Sequence, residues 1–201
     1  MLDAAVRRVI DPSLNAIGKR LAVWGVGADS LTLAGFGLGL VCVGLVSQGA
    51  YLPALVFLLL NRLFDGLDGA VARQTRLTDY GGYLDIVCDF LIWALLPVAF
   101  ALAEPERALA AAVLLASFMG AAITFLAYAI LAAKKGDTTQ SQGIKTIYYL
   151  EGLTEGTETI VLFVLMMVKP DWFIPLAYLF ATMAAITSVT RILAATRNYR
   201  R

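Results

Sequence analysis

The chain has 201 residues, a net charge of +1 and a hydrophobic fraction of 60%, with a mean hydropathy of +0.77. That length suits one domain, and the near-neutral charge gives no electrostatic footing for nucleic acid. So many long apolar runs exceed what one small soluble core covers, which sets a soluble all-helical protein aside in favour of an integral membrane protein.

Residues 1–30 are the first predicted element. Leu2, Val6, Val9, Ile10, Leu14, Ile17 and Leu21 recur at helical spacing with Arg7, Arg8, Lys19 and Arg20 between them, the pattern of an amphipathic helix lying at the membrane surface. No cleavable leader pattern is present, so the first span is expected to act as its own insertion signal. Residues 31–201 are expected to form one six-span domain, with spans near 31–48, 51–72, 81–103, 107–133, 149–168 and 171–195. Pro53, Pro105 and Pro170 fall near helix starts, where a missing N–H costs little. Gly35, Gly37, Gly39 and Gly44 make the first span a candidate for close helix packing. Cys42 and Cys88 lie in apolar runs at no metal-ligand spacing and read as buried thiols.

Lysine and arginine placement orients these spans. With the N-terminus inside, 14 of the 16 basic residues fall on the cytoplasmic side, and only Arg107 and Lys169 fall outside. Both termini are then cytoplasmic.

The chemistry is concentrated in residues 61–90, NRLFDGLDGAVARQTRLTDYGGYLDIVCDF. Asp65 and Asp68 are three apart and share a helix face; Asp85 and Asp89 are four apart and share another. The first pair ends span two and the second begins span three, with Gly81 and Gly82 expected in the joining turn. Four carboxylates are therefore expected to face one another near the cytoplasmic ends of antiparallel helices. One uncompensated Asp at a helix centre costs about 2.5–3.5 kcal/mol on insertion scales. Four also repel each other. A divalent cation relieves both penalties, and carboxylate oxygens suit Mg²⁺ or Mn²⁺. A phosphate or pyrophosphate is the natural ligand to share such a metal. Gly66 and Gly69 leave the backbone open to a ligand, and Arg73 is placed to contact a phosphate. The plainer alternative, a polar cluster capping two helices, does not account for four acids at paired helical spacings.

The string Asp65-x-x-Asp68-Gly69-x-x-Ala72-Arg73 followed by Gly81-x-x-x-Asp85-x-x-x-Asp89 resembles the signature of the CDP-alcohol phosphotransferases. The expected six spans and N-terminal helix extend the resemblance over nearly the whole chain. Ala28-Asp29-Ser30-Leu31-Thr32 is similar to the family's short motif before its first span, with Ala28-Asp29 in place of the usual Pro-Asn. The resemblance implies transfer of a substituted phosphoryl group from a CDP-linked donor to an alcohol, with release of CMP; in bacterial-type members the donor is usually CDP-diacylglycerol. It implies Asp65, Asp68 and Asp85 as metal ligands, and Asp89 as general base with a share in a second metal site. It places Asp29, Thr32, Gly69, Ala72, Arg73 and Gly81 on the nucleotide and phosphate side. It also implies a homodimer in a bacterial inner membrane. The chain contains no His, so the base at the acceptor hydroxyl is drawn from carboxylate, Lys, Tyr or water, and Asp89 is best placed. With no nucleophile elbow or isolated reactive Cys, direct displacement by the acceptor hydroxyl is simpler than a covalent intermediate, and a two-step path stays open at this point.

Span five opens as Tyr148-Tyr149-Leu150-Glu151-Gly152-Leu153-Thr154-Glu155-Gly156-Thr157-Glu158-Thr159, with Glu151, Glu155 and Glu158 on one helix face. These acids suit an acceptor pocket for a polyol or amine-bearing alcohol. They equally suit the positive N-terminus of a helix, or pairing with Lys145 and Arg191. Lys134, Lys135 and Lys145 suit a phosphorylated acceptor, or simply topology. Two readings outside transfer chemistry remain open here: a divalent-cation transporter, because intramembrane acids often mark ion paths, and a non-catalytic nucleotide-binding scaffold.

Overall fold

The computed structural model describes residues 2–135 and 154–199. Every regular element among them is helical: α1 (Leu2–Val23), α2 (Ala28–Ser47), α3 (Tyr51–Gln74), α4 (Asp79–Ala103), α5 (Ala108–Lys135), α6 (Gly156–Val168) and α7 (Phe173–Tyr199). Single 3₁₀ turns at Pro105–Arg107 and Pro170–Trp172 lead into α5 and α7, each opened by its proline. Pro53 likewise lies in the first turn of α3.

Four helical stretches among the described residues are long and apolar enough to cross a membrane: α2, α4, Pro105–Lys135 and Pro170–Tyr199. The described residues are therefore all-helical, and the protein is a multi-pass membrane protein. Helix α3, at 24 residues, is longer than α2, but Arg62, Asp65, Asp68 and Arg73 interrupt its apolar run. It nevertheless exposes Leu52, Val56, Leu59 and Leu63 as one stripe at helical spacing. The expected span 149–168 is described only from residue 154, and its helix α6 runs 13 residues.

The chain divides into two compact units, residues 5–108 and residues 1–4 with 109–201. In the first, α2 packs against both α3 and α4. Gly35 and Gly39 make this approach close. An added Cβ would stand 3.0 Å from Phe64 Cβ at Gly35 and 2.7 Å from Ile92 Cδ1 at Gly39. Gly37 and Gly44, grouped with them by sequence, meet no such neighbour, because they sit on other faces of the helix. Gly25 and Gly49 take positive φ, and the following amides reach back to Leu21 and Leu45 to close α1 and α2.

Helix α1 seats on the same unit. Leu14 and Leu21 pack around Leu31, Leu67 and Val71, and Gly18 lies against Ala70. Val9, Ile10 and Ile17 remain exposed, as do Val23 and Trp24 at the end of the helix. The apolar residues of the helix are thus divided between a packed face and an exposed one. The side chains of Leu2, Val6 and Arg7 lie outside the described residues.

Helices α3 and α4 run antiparallel, as their cross-contacts show: Arg62 meets Asp89, and Tyr51 meets Phe100 and Glu104. At that far end Arg107, 4% exposed, donates to Tyr51 Oη at 2.6 Å and pairs with Glu104 at 2.8 Å. Tyr51 stacks on Phe100 at 5.4 Å.

The second unit is built from α5, α6 and α7. Phe118 of α5 packs against Phe163 of α6 and edge-on against Phe180 of α7. Near the ends of α5 and α7, Lys135 Nζ donates to Asn198 O at 2.7 Å, and Asn198 Nδ2 donates to Tyr128 Oη at 3.0 Å.

Candidate active site

The turn between α3 and α4 determines where the acidic residues stand. Thr78 caps α4, its Oγ1 accepting from Gly81 N at 3.0 Å. The cap starts the helix at Asp79, so Gly81 and Gly82 belong to its first turn and not, as expected, to the joining turn. Asp85 and Asp89 follow on one face of α4. Asp65 and Asp68 occupy the last turns of α3.

Asp65, Asp68 and Asp85 come together. Each offers a carboxylate oxygen, and the three oxygens lie within 4.8 Å of one another. Oxygens on one Mg²⁺ stand about 3–4 Å apart, given bonds of about 2.0–2.1 Å. A small adjustment of half-buried side chains closes that difference, so this hard-oxygen set fits a small dication. Asp68 is the deepest of the three, at 6% exposure, and Thr32 Oγ1 donates to its Oδ2 at 2.5 Å. Expected on the nucleotide side, the Thr32 hydroxyl here supports a carboxylate.

Asp89 lines the same small cleft but stands apart from that trio, with a different partner. Arg62 Nη1 donates to Asp89 Oδ2 at 3.0 Å and Nη2 to Oδ1 at 2.5 Å, a two-pronged pair. Arg62 also lies 3.5 Å from Asp65. Its Nε donates to Asn61 Oδ1 at 2.8 Å, and Asn61 Nδ2 donates to Gly35 O of α2 at 2.9 Å. The guanidinium rests 4.6 Å from the centre of the Trp93 ring. In the sequence Arg62 counts only as a topological charge. Its position three residues before Asp65, on the same helix face, is the available signal; the 27-residue separation from Asp89 hides the rest.

The other expected residues fall into place around α3 and α4. Asp29, exposed in the first turn of α2, approaches α4: a Cβ added to Gly81 would meet its Oδ1 at 3.3 Å. Arg73 is exposed and donates to Asn15 Oδ1 of α1 at 3.0 Å, a partner the sequence does not suggest. Gly69 leaves room for Arg73, whose Nη1 would stand 3.2 Å from an added Cβ. Gly66 does something else: its missing side chain admits Leu14 of α1, so it serves helix packing in place of the expected ligand approach. Ala72 is half-buried on α3 between these groups.

Of the expected acceptor residues, Lys145 and Glu151 lie outside the described residues. Glu155 and Glu158 form a reciprocal cap at the start of α6. Glu155 N donates to Glu158 Oε2 at 3.2 Å, while the Glu155 side chain accepts from the helix backbone. Arg191 of α7 is buried, donates to Ala121 O of α5 at 3.0 Å and lies over Phe125.

Comparison with known proteins identifies the family of the chain. The family model described as CDP-alcohol phosphatidyltransferase matches residues 26–192. The inner membrane protein YnjF of Escherichia coli (strain K12) is 48% identical over 193 residues, spanning 96% of this chain and 94% of that protein. An archaetidylinositol phosphate synthase of Pyrococcus horikoshii is 36% identical over 91 residues, 43% of this chain and 46% of the relative. The crystal structure of Mycobacterium tuberculosis phosphatidylinositol phosphate synthase (PgsA1) with CDP-DAG bound shares the fold, with a TM-score of 0.66 at 20% identity over 91% of this chain and 93% of that one. The extent of the family match and the near-complete relative show that the chain belongs to the CDP-alcohol phosphatidyltransferase family and is a phosphotransferase enzyme of the membrane.

Proposed function

We propose that the enzyme transfers a phosphatidyl group from CDP-diacylglycerol to a small alcohol, releasing CMP, in phospholipid biosynthesis. The observation that carries this reading is the meeting of Asp65, Asp68 and Asp85 from two helices within 4.8 Å, inside the family's sequence signature. The CDP-DAG bound to the mycobacterial enzyme supports that choice of donor.

Asp65, Asp68 and Asp85 would hold Mg²⁺ or Mn²⁺, which supplies charge neutralisation at the pyrophosphate and at the departing CMP. Asp89 is the general base. It takes the proton of the acceptor hydroxyl as that oxygen bonds to phosphorus, while the bond from phosphorus to the CMP oxygen breaks and CMP leaves as a phosphate monoester. Arg73, Gly69, Ala72, Asp29, Thr32 and Gly81 make the nucleotide and phosphate side. Lys145, Glu151, Glu155, Glu158 and Arg191 make the acceptor side.

The setting is a bacterial inner membrane, with both termini and the active site facing the cytoplasm. The inner-membrane relative and the distribution of basic residues support this. Six spans are proposed, with α3 and the segment ending in α6 added to the four apolar helices; the exposed stripe on α3 supports its inclusion. Residues 1–30 form the juxtamembrane part and 31–201 the catalytic domain. The outward Val9, Ile17, Val23 and Trp24 support a place for α1 at the bilayer surface. A homodimer is proposed on family resemblance.

The test is CMP release by purified protein with CDP-diacylglycerol and Mg²⁺ or Mn²⁺. The acceptor panel contains glycerol 3-phosphate, inositol phosphate, inositol, serine, ethanolamine, choline and glycerol. Acceptor-dependent release that is lost in Asp89→Asn supports the reading and names the acceptor class. Failure of every acceptor on the panel to elicit CMP, despite metal-dependent nucleotide binding, overturns the choice of donor and acceptor.

A further inference from the structure

Arg62 is a cation built into an acidic site, and its surroundings fix it there. Its side chain is 11% exposed. Nε is held by Asn61, which is itself anchored to the α2 backbone, while Trp93 lies against the guanidinium. The two Nη atoms reach both oxygens of Asp89, and Asp65 stands 3.5 Å away. We infer that the Arg62 guanidinium occupies the position a second metal ion would take, so that this enzyme works with one metal, on Asp65, Asp68 and Asp85. This inference rests on the proposed metal-dependent transfer.

The reasoning is electrostatic and geometric. A second dication on Asp89 must displace a two-pronged guanidinium or share the carboxylate with it at close range, against mutual repulsion. Displacement leaves a cation with little solvent around it and a vacated partner on Asn61. Arg62 already offsets the negative charge that a second ion would be drawn to neutralise. With the guanidinium in place, Asp89 keeps a fixed orientation and is not committed as a metal ligand. Arg62 is in this sense a positioning residue for the proposed base.

The test is Mn²⁺ binding to the full-length protein in lipid nanodiscs, counted by equilibrium dialysis and examined by electron paramagnetic resonance. Two Mn²⁺ sharing a carboxylate stand about 3.5–4 Å apart in two-metal sites, and their spins couple visibly. The wild type is expected to bind one Mn²⁺ per chain with the spectrum of an isolated ion. Arg62→Gln is expected to gain a second, spin-coupled ion. Arg62→Lys, measured beside it in case the glutamine variant does not fold, keeps the charge without the fork and is expected to gain that ion at higher Mn²⁺ concentration. Two coupled ions in the wild type overturn the inference, as does a second ion in neither variant. No bound Mn²⁺ in the wild type overturns the metal-dependent reading itself, and the two failures are thereby told apart.

Discussion

Asp68 is nearly enclosed, and a carboxylate at that depth needs donors or a cation. Thr32 supplies one donor from α2, and Asp65 and Asp85 supply the company that makes a metal favourable. Asp89 differs in having Arg62 across its two oxygens. Removing its charge by Asp89→Asn should lower turnover by about 10²–10⁴, the usual contribution of a general base. Nucleotide binding should persist, measured by CDP-diacylglycerol binding to the same variant. Glu155 poses a different question, because its side chain caps α6. In Glu155→Gln the amide oxygen still accepts from the helix N–H, so the cap survives while the charge is lost. The proposed acceptor role predicts a shifted acceptor profile with little change in donor affinity. An unchanged profile, read by CMP release across the acceptor panel, returns the glutamate to capping alone.

Among the elements, α1 shows how much a periodic pattern can and cannot tell. Its helix was legible, because Val9, Leu14, Ile17 and Leu21 recur at helical spacing. Which of these faces the protein was not legible, since half-buried Leu14 and exposed Val9 and Ile17 are alike apolar. Gly18 decides the matter: an added Cβ would stand 2.7 Å from Ala70 Cβ and 3.0 Å from the Ala70 carbonyl carbon, and backbone does not yield as a flexible side chain does. Gly18→Ala should therefore destabilise the protein by about 1–3 kcal/mol, the usual cost of overpacking, seen as a lower melting temperature in detergent. The pairings of Asp65 with Asp68 and of Asp85 with Asp89 were legible for a related reason, since spacings of three and four along a helix place side chains on one face whatever the fold; four acids were expected together, and the structure gathers Asp65, Asp68 and Asp85. Arg62 and Asn15 were not, because their partners Asp89 and Arg73 stand 27 and 58 residues away, and only the packing of α1, α3 and α4 brings them close.

At the scale of the molecule, the apolar helices call for a bilayer, and the distribution of basic residues carries the proposed orientation. A fluorescent protein fused to either terminus should fluoresce, and alkaline phosphatase fused there should be inactive; the reverse pattern would invert the proposed topology. One brace in this structure reaches beyond topology. Arg107, Tyr51 and Glu104 tie α3 to α4 at one end, and Arg62 with Asp89 ties them about 16 Å along the helix, at a rise of about 1.5 Å per residue. The gap in which the carboxylates meet is therefore set by the protein before any substrate arrives. Gathering mutually repelling acids is accomplished once, during folding, and does not recur with each catalytic cycle. Such preorganisation leaves the donor's binding energy available for stabilising the transition state.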